Sequence, residues 1–183
     1  MSYRELKSYQ QGVAVYDMTV EFCKRYISGY SRTRDQMEQA ARSGKQNIVE
    51  ASSEKTSESG ELKLLGVARA SWQELLEDYE DFLRQKGMSQ WTKDSQEAML
   101  MRNLYKEREE ERKKVYKGCI EEPGRAANGA ICLIHQINFL LDRQIKAAEE
   151  KFVKEGGYRE NLRRRRDNEI KREIINREWR KHG

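Results

Sequence analysis

Proline is almost missing from this chain: Pro123 stands alone among 183 residues. Strand-and-turn architectures punctuate themselves with proline and glycine. One proline beside 37% charged residues points instead to long, solvent-facing helices. No run of 18 apolar residues occurs, which leaves no candidate for a helical membrane span. The N-terminal MSYRELKSYQQ has no apolar h-region, so a secretory signal is not expected there. Cys23, Cys119 and Cys132 are odd in number and form no CxxC pair, the pattern of reduced thiols in a cytoplasmic protein.

Chemistry-bearing patterns are equally scarce. The two histidines, His135 and His182, are too few for a triad without a glycine-rich nucleophile turn. A ferritin-like carboxylate metal centre needs Glu-x-x-His on two helices, and no Glu-x-x-His occurs. His135 follows Cys132 by three residues on an apolar stretch and reads as a core or interface histidine. Phosphate loops of the GxxxxGK type are also missing. The expectation is a protein that is not an enzyme, with no metal and no cofactor.

What is present is helical rhythm. Leu6, Tyr9, Val13, Tyr16, Val20, Cys23 and Ile27 step by three and four, which predicts a helix over 5–28. Thr33 and Gln36 form a capping-box pattern before a second helix through Met37, Ala41, Gly44, Ile48 and Ala51. The polar run SSEKTSESGE breaks it, and a third helix carries Leu65, Ala68, Trp72, Leu75, Tyr79 and Phe82 before Gly87. Residues 88–121 read as a charged insertion, with Asp94 and Glu97 capping one short helix through Met99, Met101 and Leu104 and KEREEERKK forming an exposed one. Pro123 opens a last long helix containing AICLIHQINFLL, apolar on more than one face. The fold class expected is all-α: an antiparallel up-down four-helix bundle over 1–146, followed by a basic extension over 147–183.

Two polar features stand out against this frame. Ala40, Ser43, Gly44, Asn47 and Ala51 make a small-residue seam on the second helix. Asn47 and Glu50 there, with Ser71 and Glu74 on the third, are expected to form a buried polar network that fixes register. Charge supplies the other feature. Residues 151–183 hold 12 Lys/Arg against 6 Asp/Glu, whereas residues 1–150 hold 24 against 25. The whole positive excess therefore lies in the tail, the simplest device for attracting polyphosphate.

The run QMEQAARSGKQNIVEAS followed by LLGVARASWQEL resembles the signature of a bacterial four-helix bundle family. That family includes the S23-type proteins encoded in 23S rRNA intervening sequences and the accessory variability determinant (Avd) of diversity-generating retroelements. Asn47, Ile48 and Glu50 match the first half of its pattern, and Leu65, Ala68, Ser71 and Glu74 the second. Ala51 and Ala70 stand where the family has glycine. The tail KFVKEGGYRENLRRRR resembles a C-terminal suffix found on some members.

The resemblance implies a homo-oligomer, namely a pentameric ring, which would account for the doubly apolar helix. It also implies a nucleic-acid-binding accessory role beside a reverse transcriptase. On that reading Arg163, Arg164, Arg165, Arg166, Lys171, Arg172, Arg177, Arg180 and Lys181 contact RNA or DNA phosphates, and Tyr158 and Trp179 are available to stack on bases. Two alternatives stand beside it. The charged tail pairs its own charges or stays solvated, or the chain is a protein-only oligomeric scaffold that presents 106–114 and the tail to a protein partner.

Overall fold

The computed structural model describes residues 2–54 and 57–182, with the side chains of Lys181 and His182 outside that description. The described residues are mostly helical, with no strand among them. After a short 3-10 turn at Tyr3–Glu5 come α1 (Lys7–Tyr26), α2 (Arg32–Ser53) and α3 (Glu58–Gln85). The insertion folds as α4 (Gln96–Asn103), a 3-10 turn at Leu104–Lys106 and α5 (Glu109–Cys119). α6 (Pro123–Glu155) and α7 (Tyr158–His182) complete the chain.

The starts of α2, α3 and α4 are each set by a serine acceptor rather than by the pairs the sequence suggested. Ser31, not Thr33, caps α2 by accepting from the Thr33 amide at 3.3 Å. Ser57 caps α3 through the Gly60 amide, so the helix begins inside the polar run expected to separate it. Ser95 caps α4 in place of Asp94 and Glu97. At α6, Pro123 occupies the first turn and the Glu122 carboxylate accepts from the Gly124 and Arg125 amides at 2.9 and 2.6 Å. Each cap satisfies one or two of the donors that a helix start leaves without partners.

Four helices enclose one core. α1 packs against α2 and α6, and α3 packs against the same two. Val15, Phe22, Met37, Ile48, Trp72, Leu75, Tyr79, Ile134, Ile137 and Leu141 are fully buried between them. Gly44 decides how closely α2 approaches α3, because a Cβ there would sit 2.6 Å from the Trp72 indole. Gly12 on α1 lies on the same ring, with 3.1 Å available. The indole is thus gripped between two helix backbones. Deeper in the core the Tyr79 hydroxyl donates to Thr19 Oγ1 at 3.0 Å, and Thr19 donates to the Val15 carbonyl at 2.8 Å.

The insertion is fastened to this core rather than hanging from it. Met101 and Leu104 are buried, and the Tyr26 hydroxyl donates to the Ile120 carbonyl at 2.7 Å. Asn128, buried on α6, accepts from the Trp91 amide at 2.7 Å and donates to the Ser89 carbonyl at 3.0 Å. One amide side chain therefore holds the middle of the loop that leaves α3, on either side of Gln90.

α6 runs unbroken past the expected boundary at 146 and stops only at Gly156, whose φ of 75° belongs to the left-handed region. The Tyr158 amide then donates to Glu58 Oε2 at 2.6 Å, so the first turn of α7 is tied to the start of α3. Beyond this tie α7 leaves the body. From Arg159 to Arg180 every residue is exposed, apart from a half-buried Asn161.

Candidate nucleic-acid interface

α7 carries every basic residue singled out in the tail. Arg163, Arg164, Arg165, Arg166, Lys171, Arg172, Arg177 and Arg180 lie along it with exposed side chains. Lys181 is within the helix, but its side chain falls outside the described residues. Local pairing uses little of this charge. Arg172 approaches Glu169 at 3.7 Å, and Arg164 donates to the Asn161 side chain at 2.9 Å. Among the described residues no ion pair engages Arg163, Arg165, Arg166 or Arg177.

Helix geometry sorts the four consecutive arginines. Successive residues turn by about 100°, so Arg163–Arg166 point in four different directions and do not share one contact face. Spacing of four and three instead aligns Arg159, Arg163 and Arg166 in a single row. Arg159 was not singled out in the sequence, where the eye stops at the uninterrupted arginine block; the i, i+4, i+7 spacing is the signal that finds it.

The polar seam forms differently from the expectation. Ser43 Oγ and Ser71 Oγ share a hydrogen bond at 3.0 Å across α2 and α3. The Asn47 side chain donates to the Ser43 carbonyl at 2.9 Å and to its hydroxyl at 3.2 Å. Ser43 is the bridge, while Glu50 and Glu74 are exposed and take no part. The angles explain this. Glu74 lies two residues from buried Trp72, or about 200° around the helix, which places it on the outer face.

Asp78, one turn further along α3, is half-buried without a cation among the described residues. Burial, with Asp81 and Glu74 beside it, pushes its carboxyl up to about 6.

Among the described residues no cluster of three or more His, Cys, Asp or Glu side chains could hold a metal ion. Burial pushes the Cys23 thiol up to about 12 and raises Cys119 and Cys132 as well, so these thiols stay protonated at neutral pH. His135 is exposed on the outer side of α6 rather than packed in the core. An open crevice of about 770 Å³ lies between α1 and α5, lined by Tyr9, Val13, Met18 and Tyr116. Its rim mixes Arg112, Lys113 and Lys117 with Asp17, Glu21 and Glu109, and so has no preference for one sign of ligand.

No protein-family model, curated protein or solved structure matches this chain. No described helix is long and apolar enough to cross a membrane. On α7, Arg159, Arg163, Arg165, Arg166 and Arg177 are exposed and engaged by no ion pair among the described residues.

Proposed function

We propose that this chain is a non-catalytic accessory protein that binds RNA or DNA through α7. The observation that carries this reading is the Arg159, Arg163 and Arg166 row: solvent-exposed on one face, with no carboxylate partner among the described residues. Such a row attracts phosphates by charge and counterion release, with little reading of base identity. The body is then an antiparallel up-down four-helix bundle of the S23 and Avd type, working in the cytoplasm as a homo-oligomer, a pentameric ring, beside a reverse transcriptase. Residue pairings support the antiparallel course: Ser8 bonds Gln144, Gln11 bonds Gln136 and Arg69 pairs with Asp142.

The protein-only scaffold is the weaker reading. Part of the charge of α5 is used within the helix, Lys113 on Glu109 at 2.6 Å and Lys114 on Glu111 at 2.7 Å, which leaves less for a partner. Fluorescence anisotropy with labelled RNA and DNA tests the proposal. The full chain should bind both in low salt, and a chain ending at residue 157 should not. Equal binding by the shortened chain would remove α7 from the interface.

A further inference from the structure

The two halves of α7 differ in character. Residues 158–168 hold Arg159 and Arg163–Arg166 against Glu160 and Asp167, a basic block. Residues 169–180 hold Lys171, Arg172, Arg177 and Arg180 against Glu169, Glu173 and Glu178, close to balance. This second half is amphipathic. Ile170, Ile174, Ile175 and Trp179 fall on one half of the helix circumference, and Arg172, Glu173, Asn176 and Arg180 on the other. All four apolar side chains are bare, with Trp179 77% exposed. A helix that packs nothing is marginal in water, and one that leaves two adjacent isoleucines and a tryptophan uncovered presents an association surface.

The charges within that surface indicate its occupant. Lys171 and Glu178 lie near the middle of the apolar half-face, three residues before Ile174 and three after Ile175. Lay a second α7 antiparallel, with the twofold axis passing between positions 174 and 175. Each Lys171 then comes level with Glu178 of the other copy, and the four isoleucines cluster around the axis. A parallel pairing would instead set lysine against lysine and glutamate against glutamate. We propose that the 169–180 half of α7 is a self-association surface that pairs antiparallel with the same segment of a second copy, a closed twofold contact of the isologous kind. An anionic lipid surface fits less well, because Glu178 sits in the middle of the face that would enter it. The basic blocks at 158–168 lie along the helix beyond the paired 169–180 segments, so pairing leaves them uncovered.

Sedimentation equilibrium of the full chain and of an Ile174→Asp/Ile175→Asp double variant tests the pairing. Both residues are exposed, so the body should keep its helicity by circular dichroism. The variant should have half the mass of the parent, whether the body itself is monomeric or ringed. Unchanged mass would overturn the proposal. So would a parent that remains unpaired and binds anionic vesicles through these isoleucines. Direction is read by charge exchange. Lys171→Glu should weaken pairing by roughly tenfold, as two attractive contacts become repulsive, and adding Glu178→Lys should restore it. No weakening by Lys171→Glu, or no restoration, would overturn the antiparallel register. Because mass is measured without nucleic acid, the result stands apart from whether the arginine row binds phosphate.

Discussion

Gly44 has no room for a side chain, and that single position sets how tightly two helices pack. A Cβ there would meet Trp72 at 2.6 Å, and the indole cannot retreat because Gly12 is behind it. Gly44→Ala is therefore expected to cost about 1–3 kcal/mol in urea denaturation, the range for overpacking a filled core. Gly66, with nothing within 4 Å, is the control: Gly66→Ala should be neutral or stabilising by up to about 1 kcal/mol through helix propensity. Asp78 gives a pH signature. Its carboxyl titrates near 3.8 in the unfolded chain and near 6 in the fold, where burial and the neighbouring Asp81 and Glu74 disfavour its charge. Between those values the native state holds the extra proton, so this residue's contribution to stability falls as pH rises from about 4 to about 6 and stays low above. Asp78→Asn should raise Tm at pH 7.5 and flatten the thermal-melt profile across that window. A variant that melts lower at pH 7.5 would refute the assignment. Exposed Glu50 predicts the reverse of a buried network: Glu50→Ala should change stability by less than about 0.5 kcal/mol.

Among the elements, the loop between α3 and α4 depends on one side chain. Asn128 accepts from Trp91 and donates to Ser89 and Gly124, so Asn128→Ala strands backbone groups at a partly buried site and should cost about 1–3 kcal/mol. Hydrogen exchange should show the added opening confined to residues near 88–95 rather than spread through the core. This loop was invisible in the sequence, since Asn128 contacts residues nearly forty positions earlier and neither partner motif is regular. The core helices were legible because burial writes itself as three-and-four spacing: Met37, Ala41, Gly44, Ile48 and Ala51 all prove buried. Helix ends were less legible, because serine, threonine, aspartate and glutamate all carry capping oxygens and local backbone geometry chooses among neighbours. Ser31 and Ser95 won where Thr33, Asp94 and Glu97 were expected. The polar seam was half legible. Asn47 and Ser71 are joined through Ser43, which each of them bonds, yet the acids beside them rotate outward, a distinction that depends on helix phase rather than residue type.

At the scale of the whole molecule, body and tail are built on different principles. The body buries its apolar faces on all four long helices, while α7 is bound at its start by Glu58 and then exposes nearly every side chain. Charge separation follows the same division, with the positive excess beyond residue 150. If α7 pairs with a second α7 around residues 174 and 175, the 1.5 Å helical rise sets the two arginine blocks about 30 Å apart. One nucleic acid could then be held at two points, with tighter binding than either block alone provides. The salt dependence of binding to a duplex of fixed length tests the central claim most directly. Replacing Arg159, Arg163 and Arg166 with alanine should make the slope of log affinity against log salt shallower by about 2–3, close to one unit per lost phosphate contact, and should weaken all sequences alike. An unchanged slope and affinity in that triple variant would contradict the account.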